Sequence, residues 1–209
     1  MLDPKSLSLY LCTDRIIALG RPLFEVVEEA IIGGVTMVQL REKEATSREF
    51  YEIALEIREL TKRNKVPLVI NDRLDIALAV GADGLHIGQS DLPLEAVRRV
   101  AGGRLFVGVS AGSVQEAVQA EAGGADYLGV GAVFPTGSKD DAGEAIGLES
   151  LRAICSAVDL PVVAIGGIGP SNATAVMQCG ADGIAVISAI LSQQNVRVAT
   201  EKLKLQISF

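Results

Sequence analysis

Tryptophan is absent from this 209-residue chain, and all aromatics together make up 4% of it. A core without large rings has to be assembled from Val, Ile, Leu and Ala, which suits buried parallel strands covered by helices. Histidine occurs once, as His86, and the three cysteines, Cys12, Cys155 and Cys179, form no C-x-x-C pair. A zinc site and a disulfide framework are thereby excluded, and the cysteines read as reduced thiols in apolar surroundings. Basic residues are outnumbered 19 to 26, for a net charge of −7, so the chain offers no general nucleic-acid surface. The apolar stretch 160–168 is too short and too rich in glycine to span a bilayer, so no membrane partner is expected. The first residues, Met1-Leu2-Asp3-Pro4-Lys5, show no basic region followed by an apolar one; the expected location is cytoplasmic.

What the chain has in quantity is hydrophobic residues, 49%, with a mean hydropathy of +0.35. They fall in short β-branched runs at 7–12, 36–40, 67–70, 84–87, 105–110, 127–130, 162–165 and 183–187, separated by helical patterns. The clearest helix spans 47–64, where Phe50, Ile53, Ala54, Ile57 and Leu60 recur at helical spacing. A repeated tripeptide sets the register. Gly81-Ala82-Asp83, Gly124-Ala125-Asp126 and Gly180-Ala181-Asp182 each lie between a helical pattern and a β run, and Gly33-Gly34-Val35 occupies a comparable place. Glycine ends a helix cheaply in a left-handed conformation, so these are short helix-to-strand turns. Eight such units predict an α/β fold, a single (β/α)8 TIM barrel forming one domain over 1–209. An open doubly wound sheet should carry Gly-x-Gly-x-x-Gly after its first strand, and Cys12-Thr13-Asp14-Arg15 has nothing of the kind.

In a barrel, chemistry gathers where strands end. After the second strand comes Gln39-Leu40-Arg41-Glu42-Lys43, with residues 39, 41 and 43 on one face of an extended chain. Asn71-Asp72 ends the third strand and Gln89-Ser90-Asp91 follows the fourth. Each aspartate taken singly reads as a helix cap, with Pro93 marking a helix start. Taken together beside Arg41 and Lys43, they suit Mg²⁺ shared with substrate phosphates. Ser110 ends the fifth strand; Gly129-Val130-Gly131 ends the sixth and opens a long loop containing Thr136-Gly137-Ser138-Lys139. Gly166-Gly167-Ile168-Gly169 and Ile187-Ser188 end the last two strands, the usual place for a phosphate in this architecture. The mouth thus combines a charged site suited to a diphosphate with a milder backbone site suited to a monophosphate. His86, within the fourth strand, reads as a hydrogen-bonded packing residue and not as a catalyst.

These segments resemble the thiamine-phosphate synthase family. The resemblance is carried, in order, by Val38-Gln39-Leu40-Arg41-Glu42-Lys43, Ile70-Asn71-Asp72-Arg73, His86-Ile87-Gly88-Gln89-Ser90-Asp91, Gly108-Val109-Ser110, the 129–139 segment and Ala164-Ile165-Gly166-Gly167-Ile168. It implies a transferase that joins hydroxymethylpyrimidine diphosphate to hydroxyethylthiazole phosphate, with one Mg²⁺ per subunit held by Asp72 and Asp91. By the resemblance the pyrimidine diphosphate lies on the 39–43 segment (Gln39, Leu40, Arg41, Glu42, Lys43), Asn71, Ser110 and Lys139. The thiazole phosphate lies on Thr136, Gly137, Ser138, Gly167, Ile187 and Ser188. Arg41, Lys43, Ser110 and Lys139 would be the catalytic residues. The partners implied are these two small molecules, with a homo-oligomer left open.

Two departures from the family pattern stand out. Ala111-Gly112 follows Ser110 where a histidine is common, and Ala132 stands where proline is common. Three rivals are weighed against this reading. A thiazole tautomerase would want that missing histidine. A non-catalytic thiamine phosphate sensor would have no use for the charged cluster. A sugar-phosphate isomerase or epimerase would need proton-transfer residues in the mouth.

Overall fold

The eight β runs close on themselves. In the computed structural model, which describes residues 2–138 and 143–207, strands β1 (Leu9–Cys12), β2 (Met37–Leu40), β3 (Leu68–Asn71), β4 (Gly84–Ile87), β5 (Phe106–Ala111), β6 (Tyr127–Val130), β7 (Val162–Ile165) and β8 (Gly183–Val186) form a closed barrel. Every pair is parallel, and closure is made by β1 against β8, Leu9 opposite Ile184. The crossovers carry helices α1 (Leu23–Gly33), α2 (Ser47–Asn64), α3 (Leu74–Val80), α4 (Leu94–Ala101), α5 (Val114–Ala122), α6 (Gly147–Cys155) and α7 (Ala173–Met177). Two more, α8 (Ser188–Leu191) and α9 (Val196–Ile207), follow the last strand. This is the (β/α)8 barrel expected from the sequence, and α2 has the expected bounds. Five strands differ from the expected runs by one or two residues at an end, most of all the first, which loses Leu7 to a 3-10 turn, Pro4–Leu7, because the Asp3 side chain accepts from Lys5 N and caps it.

The repeated tripeptide has a purpose beyond its glycine. Gly81, Gly124 and Gly180 all have positive φ, as does Gly34. Two residues further on, the side chain reaches across to the start of the preceding strand. Asp83 Oδ2 accepts from Leu68 N at 2.9 Å, Asp126 Oδ2 from Val107 N at 2.7 Å, and Asp182 Oδ2 from Val162 N at 2.8 Å. Thr36 Oγ1 does the same for Leu9 N at 2.9 Å. Each satisfies a backbone donor at the first or second residue of a strand that would otherwise be buried unpaired. Arg58 pairs with Asp83 and Arg98 with Asp126 at 2.6 Å, fixing two of these carboxylates from outside. The helices bury one stripe each against the strands; on α2 it comprises Phe50, Ala54, Ile57, Leu60 and Thr61. Among the described residues no helix is long and apolar enough to cross a membrane, and all three cysteines are free thiols.

Candidate active site

Alternation along β2 decides which side chains of the 39–43 segment reach the barrel mouth. Gln39 points into the barrel and is 3% exposed, whereas Leu40 is fully buried in the apolar core. Beyond the strand, Thr13 Oγ1 accepts from Arg41 N at 3.1 Å and pins the turn. Arg41 and Lys43 then border the large cavity at the C-terminal ends of the strands. Glu42 turns away from it: its carboxylate accepts from Arg15 Nε at 2.8 Å, and its side chain is 4% exposed. Burial pushes the Glu42 carboxyl up, partly offset by the Arg15 guanidinium. So Arg41 and Lys43 face the cavity, Gln39 lies beneath its floor, and Leu40 and Glu42 do not line it.

The two aspartates cap no helix. Neither α3 nor α4 has a side-chain cap, and their N-cap residues are Arg73 and Pro93. Asp72 instead sits at φ +63° with its N–H on His86 O at 2.8 Å, which turns its side chain toward the mouth. Lys43 Nζ lies 2.6 Å from Asp72 Oδ2. Asp91 Oδ2 accepts from Gly88 N at 2.7 Å, and both Asp91 and Asp72 border the cavity. Burial, and next the Asp72 carboxyl, push the Asp91 carboxyl above the usual carboxylate range. Two neighbouring carboxyls disfavour each other's ionisation, and a hard cation beside them relieves the repulsion. Among the described residues no group of three or more His, Cys, Asp or Glu is placed to hold a metal. A pair of carboxylates fits an ion such as Mg²⁺ that takes its remaining oxygens from water and phosphate.

Across the cavity the loop after β6 meets the ends of β7 and β8. Ser138 Oγ donates to Ser188 Oγ at 3.1 Å, and Ser138 N to Thr136 Oγ1 at 3.2 Å. Gly167 has φ +64°, and a Cβ there would lie 2.7 Å from Pro135 O, so only glycine fits. Thr136, Gly137, Ser138, Gly167, Ile187 and Ser188 all border the same cavity as Arg41, Lys43, Asn71, Asp72, Asp91 and Ser110, about 1190 Å³ in volume. Lys139 lies outside the described residues.

One residue set aside on sequence belongs to the floor. His86 is 9% exposed, with Nδ1 3.0 Å from Tyr127 Oη and Nε2 2.9 Å from Ser110 Oγ. Tyr127 Oη lies 3.0 Å from Tyr10 Oη, which accepts from Gln39 Nε2 at 2.9 Å. A buried polar chain thus runs through the barrel from Gln39 to Ser110. Burial pushes both phenols well above their ordinary range, so they stay as neutral hydroxyls. Glycines make the room: a Cβ on Gly108 would meet Tyr127 Cζ at 2.0 Å, and one on Gly129 would meet His86 Cε1 at 2.8 Å. The signal was therefore present in the sequence, as a strand histidine whose barrel neighbours are glycines.

The cavity joins a charged wall of Arg41, Lys43 and two aspartates to a wall of hydroxyls and glycine backbone. Residues 9–190 match the family described as thiamine monophosphate synthase. The chain belongs to the thiamine monophosphate synthase family. The thiamine-phosphate synthase of Desulfitobacterium hafniense (strain Y51) is 55% identical over 196 residues, covering 94% of this chain and 95% of that protein. That of Clostridium tetani is 54% identical over 196 residues, covering 94% and 93%. The solved thiamine phosphate pyrophosphorylase of Pyrococcus furiosus superposes with a TM-score of 0.91 at 46% identity, covering 98% of this chain and 96% of that one.

Proposed function

We infer that this family member is a thiamine-phosphate synthase, a transferase that joins hydroxymethylpyrimidine diphosphate to hydroxyethylthiazole phosphate and releases diphosphate. The observation that carries this reading is the pairing of Arg41, Lys43, Asp72 and Asp91 with Thr136, Ser138, Gly167 and Ser188 around one cavity. The first group suits a multiply charged leaving group and the second a single phosphate.

In this reading the bond between the pyrimidine methylene carbon and the diphosphate oxygen breaks, and the oxygen keeps the electron pair. The thiazole nitrogen then gives its lone pair to the methylene carbon. That nitrogen carries no proton, so no general base is needed. The side chains stabilise charge and hold the two reactants close. Arg41 and Lys43 donate to the departing diphosphate, joined by Lys139. Ser188 and the loop after β6 hold the acceptor's phosphate within reach. One Mg²⁺, held by Asp72 and Asp91, would supply further positive charge to the diphosphate oxygens. Substrates of this kind suit a cytoplasmic enzyme.

The test is direct. The protein is mixed with both substrates and Mg²⁺, and thiamine phosphate and diphosphate are measured. Equal amounts of both products are expected, with none when Mg²⁺ is chelated. Binding of thiamine phosphate without turnover would overturn the reading.

A further inference from the structure

Every link of the buried chain has a sense. The Gln39 amide nitrogen can only donate, so the Tyr10 oxygen accepts from it at 2.9 Å. Tyr10 keeps its own proton to pass on, and Tyr127 lies 3.0 Å away to accept it. The Tyr127 proton is then left for Nδ1 of His86, at 3.0 Å. An imidazole nitrogen that accepts carries no proton, so the neutral ring bears its proton on Nε2. That nitrogen donates to Ser110 Oγ at 2.9 Å. The oxygen of Ser110 is engaged as an acceptor, its proton remains, and its side chain borders the large cavity.

We propose that His86 is a positioning residue: the Tyr127–Tyr10–Gln39 chain holds it as the Nε2–H tautomer, which makes Ser110 present its hydroxyl as a donor to the substrate. A donor there recognises an acceptor atom, such as a ring nitrogen of an aminopyrimidine. The substrate half of this proposal rests on the synthase reading; the tautomer half does not. The opposite sense would need the Gln39 amide reversed, with its oxygen accepting from Tyr10. Every proton would then move the other way, His86 would carry Nδ1–H, and Ser110 would offer only a lone pair. The two arrangements differ at a single observable atom. The glycines opposite Tyr127 and His86 keep both rings seated in the barrel, since a Cβ at Gly108 or Gly129 would collide with them.

His86 is the only histidine of the chain, so ¹⁵N-histidine labelling gives a single imidazole. Its two ¹⁵N shifts report which nitrogen bears the proton. In the unmodified full-length protein at neutral pH the expected result is a protonated Nε2 and a bare Nδ1. A protonated Nδ1, alone or together with Nε2, overturns the proposal. Tyr127→Phe removes the donor to Nδ1 and should release the ring toward Nδ1–H. It should also raise the KM for the pyrimidine diphosphate about 10-fold, the scale of one lost hydrogen bond, and leave that for thiazole phosphate unchanged. Unchanged shifts and KM values in that variant overturn the relay. If Tyr127→Phe fails to fold, Tyr10→Phe, one hydrogen bond further from the ring, should shift the tautomer in the same direction; a wild-type spectrum there overturns it equally. A protein without synthase activity would still give the spectrum, so failure of the functional reading is told apart from failure of this one.

Discussion

Gly129→Ala is the substitution that most directly tests whether the barrel interior serves the mouth. The added methyl would stand 2.8 Å from His86 Cε1 and 3.2 Å from Nε2. Ordinary carbon contacts begin near 3.4 Å, so the ring must retreat by about 0.6 Å. It has little freedom to do so, because both nitrogens are hydrogen-bonded and Tyr127 packs against it with ring centroids 5.6 Å apart. Overpacking of this kind costs about 1–3 kcal/mol. For a chain of this size that lowers Tm by about 2–12 °C. A misplacement of about 1 Å at a reacting centre costs on the order of 10²-fold in rate, so a displacement of about half that should lower kcat/KM by about 10-fold. The assay is a double-mutant cycle with His86→Ala, followed by thermal denaturation and steady-state kinetics. His86→Ala empties the space that the methyl added at position 129 would enter, so the double variant should be more stable than the sum of the single losses by about 1 kcal/mol. Strict additivity, with unaltered kcat/KM in Gly129→Ala, would refute the reasoning.

Other consequences are open to the same methods. Asp72→Ala and Asp91→Ala should each raise the Mg²⁺ concentration needed for half-maximal rate and lower turnover by about 10²-fold; near-normal rates at limiting Mg²⁺ would remove the metal assignment. Ser188→Ala breaks the bond to Ser138 Oγ and should raise the KM for thiazole phosphate about 10-fold with little change in that for the pyrimidine substrate. Asp182→Ala strands the Val162 N–H at the start of β7, far from the mouth, and should cost about 1–3 kcal/mol in urea denaturation with kcat unchanged. Asp182→Asn keeps an acceptor oxygen and should recover most of that loss.

The barrel was legible because its units repeat. Helical spacing fixed α2 to the residue, and a tripeptide recurring before β4, β6 and β8 marked the register. The glycine of that tripeptide was read correctly as a left-handed turn, yet the aspartate was not read at all. Its bond runs 15 to 20 residues back along the chain, to a strand start that only the parallel pairing of the two strands brings near. The site was legible to the extent that strand ends face one mouth. Alternation placed Arg41 and Lys43 together; the substrate contacts expected for Leu40 and Glu42 rested on the resemblance, and the structure turns these two into the core and toward Arg15. Asp72 and Asp91 read singly as caps because local spacing cannot reveal that two loops from neighbouring strands bring both to one cavity. Tyr10 and His86 were hidden for the opposite reason: polar atoms in the middle of apolar strands look like packing until the partners across the barrel are known.

The interior chain also bears on the kind of chemistry the mouth can perform. A histidine bordering a substrate cavity is ordinarily the first candidate for an acid or base. Here both ring nitrogens of His86 are committed, one to Tyr127 and one to Ser110. Reversing the Tyr127 bond would require the Tyr10 and Gln39 links of the same chain to turn with it. At the end of β5, Ala111 and Gly112 border the cavity without a polar side chain, and the Gly112 N–H is held by the Glu116 carboxylate at 2.6 Å. An isomerisation that shuttles a proton would therefore find its obvious histidine already engaged. A displacement driven by charge on a leaving group finds what it needs at the opposite wall, in Arg41, Lys43 and the paired carboxylates. The same fold can host either reaction, and in this chain the hydrogen bonds of one imidazole favour the second.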